Sequence, residues 1–191
     1  SDIEDNRTFR EDASNLAAFL YTLSLNYPQH FNRIEKIVRR IAPFFDRFDL
    51  RESQNLKGKI RLEWKEKGSE KPFTAHHLSD GTLRMICLTT LLLQPQLPRA
   101  IIIDEPELGL HPSALNILSG LIRSASKESQ IIISTQSTSF INQFSPEDIV
   151  VVERQDNQST FKRLNSEALE DWLEEYTLGE IWEKNIIGGR P

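Results

Sequence analysis

Ile101, Ile102 and Ile103 run without a polar break into Asp104, Glu105 and Pro106. Three β-branched residues in succession favour an extended strand. Because they do not alternate with polar residues, the strand should be covered on both faces, as in a parallel sheet. The C-terminal ends of parallel strands are where such sheets bind ligands, and here that end delivers two carboxylates. Asp104 is suited to hold Mg2+ through its water shell, since this cation takes oxygen ligands in octahedral geometry and keeps some waters. Glu105 is suited to orient and deprotonate an attacking water. Alone, the pattern also fits an acidic strand end at a surface loop, so the neighbouring segments decide.

Those segments alternate between strands and helices. Pro112–Ala125 reads as a helix with Leu115, Leu118, Leu121 and Ile122 inward, Gln130–Ser134 as a second buried strand, and 149–152 as a third, with a short helix around Phe140 between them. A nearly apolar helix over 82–93 precedes the first strand. This order predicts an α/β fold with a three-layer core and a mainly parallel sheet. Upstream, Ser14 or Asn15 can cap a helix carrying Leu16, Phe19 and Leu20. Pro28 opens a second helix with Phe31, Ile34, Val38 and Ile41 on one face, and Pro43 stops it. Residues 59–65 alternate, with Ile60, Leu62 and Trp64 on one side, and should pair antiparallel with 72–75 across a turn at Gly68. In the tail, 160–164 reads as a last strand, Ser166 as the cap of a helix carrying Leu169, Trp172, Leu173 and Tyr176, and Ile181 with Trp182 as a final amphipathic turn.

The stretch 101–106 resembles the extended Walker B motif of the ABC ATPase superfamily, and Glu107, Leu108, Gly109, Leu110, His111 and Pro112 look like its D-loop. The D-loop wording is similar to the RecF-like and predicted-ATPase (OLD-like) branch more than to the transporter branch. Leu78, Ser79, Asp80, Gly81, Thr82, Leu83 and Arg84 resemble the signature motif. Physically, a serine and a glycine at the first turn of a buried helix can present a hydroxyl and uncrowded N–H groups to an anion. Ser79 also reads as an N-cap, and Arg84 as a phosphate neighbour or a structural ion pair. Thr135, Gln136 and Ser137 resemble the switch motif, with Gln136 where most members carry histidine. A glutamine can donate to a γ-phosphate but has no titratable ring. His111 lacks spaced partners for metal binding and reads as helix-start packing or a seam contact. The segment from Leu178, Gly179 and Glu180 through Gly188, Gly189, Arg190 and Pro191 resembles the C-terminal end of bacterial predicted ATPases of this branch.

The resemblance implies a P-loop ATPase head of the ABC, SMC and RecF type. ATP and Mg2+ would be the cofactors, Glu105 and Gln136 the catalytic residues, and Ser79, Gly81, Arg84, Asp104 and Gly109 the nucleotide-binding ones. It further implies a head-to-tail homodimer with ATP between the heads. Phosphate cradling in such proteins requires a Gly-x-x-x-x-Gly-Lys-Ser/Thr loop, and the sequence contains none: Gly58 with Lys59 and Gly68 with Lys71 lack the spacing. The chain is therefore expected to be the C-terminal half of a head. Residues 1–78 would be the helical lobe and lead-in strands, and 79–191 the signature, Walker B, D-loop and switch.

Composition narrows the setting. A net charge of −5 argues against a surface that is basic throughout, leaving two local basic stretches: Lys36, Arg39, Arg40 and Arg47, then Lys57, Lys59 and Arg61. Both also fit solvated faces. No apolar run reaches membrane-spanning length, residues 1–6 are acidic and polar rather than a secretory signal, and the single cysteine, Cys87, reads as a small core residue. A cytoplasmic ATPase working with DNA in repair or bacterial defence, beside a nuclease partner, is the leading expectation. A non-hydrolysing, nucleotide-gated head and a transporter subunit are the competing ones.

Overall fold

The computed structural model describes residues 2, 4–52 and 58–189. Lys57 of the second basic stretch, and Arg190 and Pro191 of the C-terminal motif, lie outside the described residues. The chain divides into two compact units, Ser1–Ile101 with Leu108–Ile132, and Ile102–Glu107 with Ile133–Pro191.

The first unit is built on four helices, α1 (Leu16–Asn26), α2 (Pro28–Ile41), α3 (Asp80–Leu93) and α4 (Pro112–Ala125). They pack in succession, α1 on α2, α2 on α3 and α3 on α4. Pro28 starts α2 at a position whose N–H would have no helical partner, and the chain leaves the helix at Ala42, before Pro43. Ile34 and Val38 are buried on its inner face, together with Glu35. That carboxylate accepts from the Phe48 N–H and from Arg39, both at 2.8 Å. On α4, Leu115, Leu118, Leu121 and Ile122 form the expected inner face.

Two caps differ from expectation. Asn15 precedes α1 but makes no side-chain cap bond. Its amide instead accepts from the Arg10 N–H (3.0 Å) and donates to the carbonyls of Asp5 (3.0 Å) and Thr8 (2.8 Å), pinning the preceding segment. Ser166 likewise makes no cap bond, because Glu147 engages both its amide and its hydroxyl.

The same unit carries an antiparallel sheet of β1 (Phe45–Phe48), β2 (Glu63–Glu66) and β3 (Pro72–Thr74), with β2 in the middle. The β2–β3 turn uses Gly68 at φ +78°, and the register pairs Trp64 with Phe73. Regular pairing begins at Glu63 rather than at residue 59, where Lys59 and Ile60 form only isolated bridges. β1 has no clear sequence signal. Its Phe45 and Phe48 are anchored by aromatic neighbours, Phe45 stacking on Trp64 at 6.0 Å between centroids.

β4 (Ala100–Asp104) and β5 (Gln130–Ser134) pair with each other. Bonds from Gln130 N–H to Arg99 C=O at one end and from Glu105 N–H to Ser134 C=O at the other, each 3.0 Å, make the pair parallel. Two expectations fail here. The strands are not covered on both faces, since Ile102 is 77% exposed and Ile132 49%. Nor does the third run join them: β6 (Val150–Gln155) folds back antiparallel on β7 (Gln158–Arg163). The cause is local. Asp156 and Asn157 both take positive φ, 50° and 64°, and two such residues between paired strands make the tight turn whose twist suits a hairpin. The fold is thus α/β with one parallel pair and two antiparallel sheets among the described residues, not a mainly parallel sheet.

In the second unit the hairpin joins three short helices, α5 (Thr138–Ile141), α6 (Glu170–Glu175) and α7 (Leu178–Glu183). Ile141, Val151, Leu164, Leu169, Leu178, Ile181, Trp182 and Ile187 form its core. Thr177 and Glu180 cap α7 reciprocally. Gly179 sits against α5, its N–H donating to Asn142 at 2.6 Å, and a side chain there would meet the Thr138 carbonyl.

Candidate functional site

Within the second unit, the end of β4 gathers the carboxylates. Asp104 is exposed, and one of its oxygens accepts from the Ser134 hydroxyl at the end of β5. Glu105 follows at φ +44°, a left-handed backbone that a glutamate rarely adopts. Its amide is fixed to the Ser134 carbonyl at 3.0 Å. Strain of this kind persists only where surrounding bonds impose it, and it recurs at functional sites.

Glu107 turns the other way. It is 8% exposed, its Oε1 accepts from the Thr135 hydroxyl, and its Oε2 is buried without a hydrogen-bond partner among the described residues. Burial pushes its carboxyl above the usual range, the neighbouring Glu105 pushes the same way, and the Thr135 bond opposes them. Thr135 Oγ1 also accepts from the Ser137 N–H at 3.0 Å, and Ser137 Oγ caps α5 by accepting from the Phe140 N–H at 3.2 Å. Gln136, between these two residues, is exposed.

Within the first unit, Ser79 caps α3. Its hydroxyl accepts from the Thr82 N–H at 3.2 Å while its carbonyl accepts from the Leu83 N–H at 2.9 Å. Ser79 and Asp80 are exposed at this helix start. Gly81 allows a close approach: a Cβ there would collide with the carbonyl oxygen of Gly109, itself at φ +76°. Gly81 and Gly109 are therefore brought together backbone to backbone. His111 caps α4, its Nδ1 accepting from the Ser113 N–H at 3.2 Å, which is the helix-start role. Arg84 is half-buried on α3. Cys87, one turn on, is half-buried rather than fully cored, and burial pushes its thiol up to about 11. In the first basic stretch Arg39 pairs with Glu35, and Arg47 with Asp46 and Glu70.

Sequence reasoning missed Glu107, Ser134 and Thr135 as site members. Glu107 and Thr135 lie within the motif-like stretches and Ser134 next to one, but of the two glutamates in the 104–107 run the sequence gives no sign of which will be buried. Among the described residues no group of three or more His, Cys, Asp or Glu side chains could enclose a metal ion, and no helix is long and apolar enough to cross a membrane.

Comparison with solved structures shows what this arrangement resembles. A chain from work on ATP-driven dimerization and DNA stimulated activation of SMC ATPases superposes with a TM-score of 0.56 at 19% identity, covering 82% of this chain and 96% of that one. An SmcHead bound to the C-winged helix domain of ScpA gives 0.61 at 19% identity, over 88% and 50%. An Smc head with an extended coiled coil from Pyrococcus furiosus, bound to the C-terminal domain of ScpA, gives 0.60 at 19%, over 86% and 42%. The chain thus spans half or less of the length of the latter two. These likenesses show the fold, which the chain shares with these Smc head structures. No curated protein matches the sequence. One family does, over residues 2–142, well beyond half of the chain, and the protein belongs to it: "AAA domain, putative AbiEii toxin, Type IV TA system".

Proposed function

We propose that the chain supplies the carboxylate side of an ATP-hydrolysing head and works with a phosphate-binding loop that its 191 residues do not contain. The observation that carries this reading is the end of β4. A parallel strand delivers Asp104 and Glu105 together, with Ser134 holding both the Asp104 side chain and the strained Glu105 backbone. Such rigid placement is what general-base chemistry needs.

In this reading Glu105 accepts a proton from the water that attacks the γ-phosphate while ADP leaves. Asp104 fits Mg2+: it is exposed, one oxygen is engaged by Ser134, and a cation that keeps several waters does not need a closed protein cage. When bound, the ion would supply charge neutralisation at the phosphates. Ser79 and the α3 N-terminus face a γ-phosphate bound by a second copy, so the working unit is a head-to-tail homodimer. Gln136 donates to the same phosphate. Gly81 and Gly109 keep the signature turn and D-loop in backbone contact, and Arg84 stands behind the signature.

The D-loop wording supports the OLD-like branch, and in this reading residues 1–78 are lobe and lead-in strands and 79–191 the C-terminal half of the core. The bare face of β4 and β5, apolar at Ile102 and Ile132, supports a further layer supplied from outside these residues. DNA as the regulating ligand, repair or bacterial defence as the setting, and a nuclease as partner complete the reading. A family description that names a toxin of a type IV system supports the defence setting.

Hydrolysis of Mg-ATP by a protein holding both this segment and its phosphate loop, with and without double-stranded DNA, tests the proposal. Turnover should rise with DNA and fall by about 10² or more in Glu105→Gln. ATP binding without turnover in either condition favours the gated, non-hydrolysing head, for which Gln136 in place of histidine is the specific support.

A further inference from the structure

Glu107 has no role in the reading above, yet it is a buried carboxylate, 8% exposed, at the edge of the site. It stands three residues after Asp104, and a buried acid whose Oε2 has no hydrogen-bond partner among the described residues is costly to keep unless it acts on something. What it acts on is visible. The Thr135 hydroxyl donates to Glu107 Oε1 and accepts from the Ser137 N–H at 3.0 Å, so the peptide carrying Gln136 is bracketed by bonds that meet at one hydroxyl. Ser137 continues the chain of bonds into the cap of α5.

We propose that Glu107 is a positioning residue that ties the loop 135–137, and with it Gln136, to the strand end bearing Glu105. The proposal rests on Glu105 being the base of the reaction above, and extends it by naming the group that couples base and switch. Burial above all, and the neighbouring Glu105, raise the Glu107 carboxyl, against the Thr135 bond that lowers it.

Glutamine keeps an acceptor for Thr135 and places a donor at the second position. Leucine fills the same space and keeps neither. In the full 191-residue chain, amide hydrogen exchange at Ser137 should speed up about tenfold in Glu107→Leu and in Thr135→Val, and Glu107→Gln should restore it to within about twofold of the parent. Unchanged exchange in Glu107→Leu, with the same thermal midpoint, would mean that Glu107 only fills space and would overturn the proposal. With the phosphate loop present, kcat should fall about 10-fold or more in Glu107→Leu at unchanged KM for ATP, and recover in Glu107→Gln. Loss of turnover in Glu107→Gln as deep as in Glu105→Gln would make Glu107 an ionised base and overturn the proposal as well. Absence of turnover in the parent itself would sink the ATPase reading and not the positioning, which the exchange experiment decides alone.

Discussion

The two sheets that flank the signature helix in sequence are written in different codes and meet different fates. In the antiparallel sheet β1–β3, Trp64 is 2% exposed and packs among Phe44, Phe45 and Phe73, and Lys65 on the opposite face is buried as well, paired with Glu70 at 2.6 Å. In the parallel pair β4–β5 each strand is centred on three successive isoleucines, the composition of a strand buried on both faces, yet Ile102 and Ile132 stand in solvent. The first sheet is energetically complete within the chain. The second carries apolar surface whose burial the described residues do not provide, and its C-terminal edge is where the carboxylates sit.

The largest effect that would sharpen this contrast is at Trp64. Trp64→Ala should destabilise the 191-residue chain by about 3–5 kcal/mol in urea titration, through lost transfer energy and the cavity left behind. A cost near zero would mean that the first sheet is not the anchor described.

A smaller effect is expected at the end of the second sheet and depends on pH. Glu107 has its folded pKa raised above the ordinary 4.5, so the stability it contributes is fully present below that value and lost as pH rises through the folded pKa. Glu107→Gln, which cannot ionise, should therefore melt higher than the parent at pH 7.5, by on the order of a degree or two. The difference should vanish below pH 4.5. A difference independent of pH would remove the buried acid from the account.

The smallest effect is the most informative about the bare face. Ile102→Ser should change the stability of the 191-residue chain by less than about 0.5 kcal/mol, because an exposed side chain has little to lose. The same change should cost more than about 1 kcal/mol where a covering layer is present. Equal cost in both settings would contradict a covering layer.

Much of this was legible before the structure. Helices α2, α3 and α4 declared themselves through Pro28, Ser79 and Pro112 and through apolar periodicity, since local capping and one-sided burial leave a direct imprint on sequence. The Gly68 turn and its pairing were equally plain. What escaped notice depends on distant neighbours. β1 is extended because Phe45 stacks on Trp64 and Phe48 packs on Phe45 and Phe31, and no local preference says so. The β6–β7 hairpin was hidden by reading 149–152 as one more parallel strand and overlooking Asp156 and Asn157, two residues that tolerate positive φ. Asn15 and Ser166 look like caps, and long-range polar partners claim their side chains. At the site, Asp104 and Glu105 could be found from their place after a branched run. The burial of Glu107 could not, because it is set by the Thr135 loop some thirty positions away.

The central claim, that the end of β4 is the chemical half of an ATPase, is tested most directly by single-turnover and steady-state Mg-ATP hydrolysis in the protein holding both this segment and its phosphate loop, comparing the parent with Glu105→Gln. The account predicts ATP bound equally by both, with turnover, stimulated by DNA, in the parent and a loss of about 10² or more in the variant. Equal turnover in the two would contradict it and remove Glu105 from the chemistry.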